Sequence, residues 1–373
     1  MIDDGVGDTG RCADRHLAPG VPERLRAWVR RDFGIDLTSI HATGQGADVA
    51  AQLWHGVADD GARYAVKWSA AGTPGGLLVS AQLAARQVAG AVRPVPARDG
   101  RPWSHRQGRR LSVLPWVSDR RAMAEGLQAR GWRAFGALLA QVHATPAVGA
   151  VAALLPRDDH THHRITAAVH ALQAQLAAPT QPANADPLIR ALAQQWQAKA
   201  ELIWTLLEHA DRLAPVLRAR APAMVVCHGD PHLGNLLVGD QGQVWLIDWD
   251  NAVVAARERD LMFVVDGVIS PAAIGPRERS WFFDGYGSVD LDQAGLDYQR
   301  CTRALDDLIY DAEQVVDVDR YSPSQRRIAL HRVRQNLDAT GLAHRAGTVV
   351  ERMTADTTPT PPNSTMDLPP APQ

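Results

Sequence analysis

The stretch Val225-Val226-Cys227-His228-Gly229-Asp230-Pro231-His232-Leu233-Gly234-Asn235-Leu236-Leu237-Val238 sets an acid, an amide and two histidines in a polar turn between apolar runs. The chain continues through Gly239-Asp240-Gln241-Gly242-Gln243 into Val244-Trp245-Leu246-Ile247 and reaches Asp248. That pattern reads as a β-hairpin. Asn235 opens the outgoing strand and Asp248 closes the returning one, so both fall at the same hairpin end. An amide oxygen and carboxylates are hard donors, suited to Mg2+ carrying nucleotide phosphates. Asp230, in the turn, is placed to accept a proton from an attacking hydroxyl. Taken alone, His-Gly-Asp is also an ordinary turn. The alternation of His228, Asp230 and His232 also fits a metallohydrolase site, although no comparable His/Asp cluster elsewhere completes that ligand set.

The elements that must hold these residues change character near residue 120. Pro22 to Phe33 reads as a short helix with Leu25, Trp28 and Val29 on one face. Strand-like runs follow at 39–43, 49–57 and Arg63–Ser69, the last two joined by Ala58-Asp59-Asp60-Gly61, a hairpin signal. In the Arg63–Ser69 strand Tyr64, Val66 and Trp68 share one face, and Ala65 and Lys67 the other. A helix is expected over 77–88 and a further strand over 110–117. Gly44-Gln45-Gly46, between two strands, can cover a phosphate because glycine lets backbone amides approach anionic oxygens, although any β-turn supplies such a triplet. Beyond residue 120 apolar residues recur at helical spacing, as in Trp132, Phe135, Leu138, Leu139 and Val142, and in Leu192, Trp196, Ala200, Ile203 and Leu207. The expected organisation is a loose N-terminus over 1–20, a β-rich lobe over 21–118, a mainly helical lobe over 119–353, and a disordered Pro/Thr-rich tail over 354–373.

The 373 residues carry a formal charge of −2, which gives no support for nucleic-acid or acidic-membrane binding. No apolar run approaches the ~18 residues of a membrane span, and the start lacks the basic and apolar regions of a secretory signal. Three cysteines, Cys12, Cys227 and Cys301, argue against a disulfide framework. Cys227 reads as a packed thiol, and Asp158-Asp159-His160-Thr161-His162-His163 as a polar loop more readily than a zinc site. A cytoplasmic protein, monomer or weak dimer, is expected.

His228-Gly229-Asp230-Pro231-His232-Leu233-Gly234-Asn235 together with Ile247-Asp248-Trp249-Asp250 resembles the catalytic and metal-binding signature of the aminoglycoside phosphotransferase family. The resemblance implies an α+β, bilobal, protein-kinase-like fold, with a small β-rich N-lobe and a larger mainly helical C-lobe. It implies Asp230 as catalytic base, His228 as organiser of the loop, and Asn235 and Asp248 as Mg2+ ligands. The continuation Arg257-Glu258-Arg259-Asp260-Leu261-Met262-Phe263 is most similar to the spectinomycin phosphotransferase branch, with Asp260 bracing the loop. Lys67, in Tyr64-Ala65-Val66-Lys67, resembles the kinase lysine that holds the α/β-phosphates. With it come Gly44 and Gly46 over the phosphates, Ala65 against the adenine ring, and Leu114 and Trp116 in the connector beside the base. ATP is the implied donor, with GTP left open. One departure is specific: kinases fix that lysine with a glutamate on the next helix, and residues 69–98 contain no acid, only Gln82 and Gln87 on the expected helix.

The implied acceptor is a small cationic antibiotic, spectinomycin or a related aminocyclitol. From Asp284 to Asp319 ten acidic residues stand against Arg300 and Arg303, with aromatic residues among or just before them. Asp250, Asp284, Asp307, Asp311 and Glu313 are therefore candidate contacts for its amines, and a solvated acidic helix face is the equal alternative. A kinase for another small alcohol or non-aminoglycoside antibiotic, and a nucleotide-binding pseudokinase, remain as other readings.

Overall fold

The computed structural model describes residues 20–43, 51–177, 186–265 and 274–356. Gly44 and Gly46 lie outside the described residues, as do most of the two expected terminal segments.

The chain begins with α1 (Val21–Phe33), β1 (Leu37–Ala42), β2 (Ala51–Ala58), β3 (Arg63–Ser69), α2 (Gly75–Ala85), β4 (Ser104–Arg106) and β5 (Arg109–Pro115). Helices follow: α3 (Ala122–Glu125), α4 (Ala129–His143), α5 (Gly149–Leu154), α6 (His163–Ala177), α7 (Pro187–Ala198) and α8 (Ala200–Arg220). Then come β6 (Met224–Cys227), β7 (Leu236–Val238), β8 (Val244–Leu246) and β9 (Val253–Ala256). The last helices are α9 (Glu258–Val265), α10 (Pro276–Tyr286), α11 (Gln293–Val316), α12 (Pro323–Leu337) and α13 (Leu342–Asp356). The α+β class expected from sequence is met: an antiparallel sheet early in the chain and a mainly helical remainder. The backbone divides into two compact units, one of residues 1–159 and 221–292, the other of 160–220 and 293–373. The boundary expected at 118/119 falls inside the first.

In the first unit, five antiparallel strands run in the order β1-β2-β3-β5-β4. Alternation sorts β3 into two faces. Val66 and Trp68 are buried with Leu111 and Val113 of β5, beneath Leu25, Val29 and Phe33 of α1. Each such side chain withdrawn from water is worth about 1.5–3 kcal/mol. The opposite face follows from register: Lys67 pairs with Ser112, Ser69 with Arg110 and Ala65 with Leu114. Opposed residues of an antiparallel pair share a face, so Lys67 and Arg110 lie diagonally on one side. The α4 stripe of Trp132, Phe135, Leu138, Leu139 and Val142 is buried, as its spacing predicts, in a second core with Leu246, Trp249 and Phe282. The hairpin expected around residues 239–243 is present as β7 and β8, paired through Leu236–Leu246, Leu237–Trp245 and Val238–Val244. β6 pairs with β9, from Met224–Ala256 to Cys227–Val253.

The second unit is helical among its described residues. Leu192, Trp196, Ile203 and Leu207 are buried in it, together with the inner face of α11. No described helix is long and apolar enough to cross a membrane.

Candidate active site

The loop after β6 is fastened at its backbone. Asp260, in the first turn of α9, is fully buried and accepts from His228 N–H at 2.8 Å and Gly229 N–H at 2.7 Å. Its carboxylate also faces His143 Nε2 at 3.1 Å, while His143 Nδ1 lies 2.6 Å from the Tyr286 hydroxyl. A carboxylate only accepts, so Nε2 carries the hydrogen and Nδ1 accepts from Tyr286. Gly229 has φ +83°, and a Cβ there would run into the Asn251 carbonyl oxygen. Only glycine fits that turn.

His228 is buried, and burial lowers its pKa. The neutral ring donates from Nε2 to the Ile247 carbonyl at 3.0 Å and accepts at Nδ1 from Asp230 N–H at 3.3 Å. It thereby ties the loop to the end of the hairpin. Asn235 Nδ2 donates to the Asp230 carbonyl oxygen at 2.9 Å and to its carboxylate at 3.3 Å. His232 accepts at Nδ1 from Gly234 N–H, and its Nε2 stands 3.5 Å from the Asp230 carboxylate. Ile247 N–H donates to the Asn235 carbonyl at 3.0 Å, so Asn235 and Asp248 do share the hairpin end. Asp248 itself sits at φ 65°, ψ 67°, a left-handed conformation that glycine, asparagine and aspartate adopt more readily than other residues.

β3 brings Lys67 onto this end. Its Nζ lies 2.7 Å from Asp248 Oδ1 and 2.8 Å from Asp250 Oδ2. Burial alone would lower the ammonium pKa, but the two carboxylates outweigh it and raise the value. Asp248 shows the converse: the Lys67 ammonium beside it holds its carboxyl below the ordinary value. Asp248 is 46% exposed and Asp250 17%, so Asp248 is the carboxylate open to solvent. Asp250 also receives Arg110 at 2.6 Å. Gln82 and Gln87, the polar residues near Lys67 in sequence, are both exposed.

Ala65 is half-buried on the Lys67 face, opposite Leu114. Trp116 is engaged: its amide donates to the Arg63 carbonyl at 2.9 Å and its indole to Asp119 at 2.7 Å, with His55 edge-on at 4.6 Å. Asn235 and Asp248 present oxygen donors at the hairpin end. Asn235 directs its amide nitrogen inward, leaving the amide oxygen, and Asp248 offers an accessible carboxylate. These residues fit Mg2+, which takes such ligands.

A family model, described as phosphotransferase enzyme family, matches residues 59–301. The chain belongs to that family. As a member of it the chain falls in the expected enzyme class, the phosphotransferases. Solved structures show the fold. Spectinomycin phosphotransferase APH(9)-Ia, in complex with ADP and spectinomycin, matches with a TM-score of 0.77 at 21% identity, over 90% of this chain and 100% of that one. The AMP-bound complex of the same enzyme matches at 0.73 and 20%, over 87% and 98%. The amicoumacin kinase hAmiN, with AMP-PNP and Ca2+, matches at 0.54 and 14%, over 86% and 94%. The protein-kinase-like fold expected from the motifs is thus the fold of this phosphotransferase. No curated protein matches by sequence.

The candidate acceptor acids divide between the two units, Asp250 and Asp284 in the first and Asp307, Asp311 and Glu313 in the second. Asp250 lies with Lys67. Asp284 pairs at the surface with Arg133 at 3.0 Å. In the second unit Asp307 pairs with Arg303 at 2.9 Å, Asp311 with Arg332 at 2.7 Å, and Glu313 is exposed. Cys227 is a packed thiol as expected, fully buried beside the Ala255 and Ala256 carbonyls, with its pKa pushed up by burial. Among the described residues His143, Cys227 and Asp260 are spaced as a metal could use them, but His143 and Asp260 are engaged with each other and with the loop. His162 of the polar histidine run binds Asp211 at 2.8 Å. Sequence reasoning missed Arg110, His143 and Tyr286. Arg110 was readable only with the β3–β5 register, and the other two only with long-range packing.

Proposed function

We propose that this phosphotransferase moves the γ-phosphoryl of ATP to a hydroxyl of an aminoglycoside or aminocyclitol antibiotic, with spectinomycin the first candidate. The observation that carries the reading is the meeting of Lys67 with Asp248 at 2.7 Å, at the hairpin end shared with Asn235 and beside the Asp230 loop. Lys67, released from Asp248, holds phosphate oxygens. Asn235 and Asp248 hold the metal through oxygen atoms. Bound there, Mg2+ supplies charge neutralisation across the transferring phosphates. Asp230 orients the acceptor hydroxyl and takes its proton, and His228 keeps the loop joined to the metal ligands.

Nucleotide-bound structures of the same fold support a nucleotide donor, and the match along the whole spectinomycin phosphotransferase chain supports the acceptor. A phosphate dianion added to a cationic drug spoils its fit to an anionic RNA site, so the product is an inactivated antibiotic. The reaction belongs in the cytoplasm, with neither nucleic acid nor membrane as partner.

The test incubates the purified protein with Mg·ATP or Mg·GTP and a panel of spectinomycin, other aminoglycosides and unrelated hydroxylated antibiotics. The readout is the mass gain of one phosphoryl group. Phosphorylated spectinomycin is the expected result. Transfer only to another compound rejects the acceptor and keeps the reaction, whereas nucleotide binding with no acceptor modified rejects the antibiotic-kinase reading.

A further inference from the structure

The stretch of chain that should supply an acid partner for Lys67 has none, and the lysine nonetheless has two carboxylates. They are not equivalent. Asp248 is half exposed and shares the hairpin end with Asn235. Asp250 is mostly covered and held on every side. Its Oδ1 receives Arg110 at 2.6 Å, its Oδ2 faces Lys67 at 2.8 Å, and its backbone carbonyl accepts from Thr73 N–H at 2.9 Å.

Arg110 is built for this contact. Its side chain is 8% exposed, and it also donates to the Ala71 and Gly72 carbonyls, each at 3.0 Å. The β3–β5 register sets it diagonal to Lys67 on the same sheet face. The 71–73 segment closes over the acid: Gly72 has φ +75°, and a Cβ there would lie 2.6 Å from Asp250 Cγ. An arginine stays charged in any such setting, and its planar fork fixes an acceptor in direction as well as distance. The result is one carboxylate between two cations, one of them immobile.

We propose that Asp250, clamped by Arg110, is the carboxylate that positions Lys67 in place of the missing helix acid. This rests on the reading of Lys67 as the phosphate-holding residue. A carboxylate given to a divalent cation no longer neutralises an ammonium beside it, so Asp248 cannot serve both partners in full. Asp250 can stay on the lysine throughout, because Arg110 and the 71–73 segment hold it there. Arg110 and Asp250 are then positioning residues: they act on the nucleotide through Lys67.

The experiment compares Lys67→Met, Arg110→Met, Arg110→Lys, Asp250→Asn and the Arg110→Met/Asp250→Asn double variant in the full chain. Three quantities are read: thermal unfolding, the calorimetric dissociation constant for ADP with and without Mg2+, and the separate KM values for ATP and acceptor. The expected result is ADP binding and ATP KM weakened about tenfold in the Arg110→Met and Asp250→Asn variants. Acceptor KM and Mg2+ requirement stay near wild type. Arg110→Lys recovers part of the loss, and the double variant is little worse than either single. Asp250→Asn is isosteric and keeps the test open should Arg110→Met unfold. Loss of binding in Lys67→Met with none in the folded Arg110 and Asp250 variants overturns this inference alone. Unchanged binding in Lys67→Met overturns the phosphate-holding reading beneath it. A raised acceptor KM in Asp250→Asn would make that acid an acceptor contact, and a raised Mg2+ requirement a metal ligand; either result overturns the proposal.

Discussion

Asp230 is aimed before any substrate arrives. Asn235 Nδ2 holds both its carbonyl and its carboxylate, and His232 Nε2 stands 3.5 Å from the same carboxylate oxygen. The His228 ring, kept neutral by burial, anchors the Asp230 amide from the other side. Orientation of this kind is what a general base needs, since the proton must pass over one hydrogen-bond length. Asp230→Asn preserves the shape and the contact with Asn235 while removing basicity. Turnover is expected to fall by ~10²–10⁴-fold, with ADP affinity changed by less than about twofold. Single-turnover kinetics and calorimetry on the same preparation check it, and near-normal turnover would remove Asp230 from the role of base. Asp230, Asn235 and Asp248 could be picked out of the sequence because they lie within one hairpin and its flank, where spacing translates directly into position. The contacts of Asp250 could not, since its partners Lys67 and Arg110 come from strands more than a hundred residues away.

The Asp230 loop is suspended between β6 and α9 rather than resting on either. Two loop amides end on the Asp260 carboxylate, and Gly229 passes close to the Asn251 carbonyl just before β9. The β6–β9 pairing therefore sets the distance between loop and brace. Gly229→Ala should force that passage apart: a left-handed conformation costs an alanine about 1–2 kcal/mol, and the carbonyl collision adds to it. Urea unfolding is expected to show a loss of at least that size, and kcat a fall of about a hundredfold or more, as for other misplacements near 1 Å. A variant as stable and active as the parent would mean the loop has slack that the packing does not show. Alternation and turn residues made β3, the β7–β8 hairpin and the stripes of α4, α7 and α8 readable in advance. β4, β9 and the β6–β9 pair were not, because short strands carry little periodicity and their partners are set by tertiary contact.

At the scale of the whole chain, the acidic segment, read either as a surface for a cationic ligand or as a solvated helix face, carries acids already joined to arginines. Along 284–319 the segment's own arginines take two acids, Arg300 for Asp297 and Arg303 for Asp307, and other partners come from elsewhere: Arg133 for Asp284, Arg164 for Asp306, Arg332 for Asp311. The second unit therefore holds its acids largely in pairs among its own helices. Asp311 is the most perturbed of them, since burial raises its pKa to about 6 despite the Arg332 guanidinium. The folded state then keeps that proton to higher pH than the unfolded chain does, so between about pH 4 and pH 6 the folded state binds more protons. Stability from this group is greatest below its ordinary pKa of 3.8 and is lost as pH rises through about 6. The loss amounts to about 2–3 kcal/mol, because each pH unit between the unfolded and folded values is worth about 1.4 kcal/mol. Asp311→Asn removes the titration. The difference in unfolding free energy between parent and variant, measured in urea at several values from pH 4 to pH 7, should therefore move in favour of the variant as pH rises. A difference that stays constant across that range would mean the Arg332 pair compensates the burial in full.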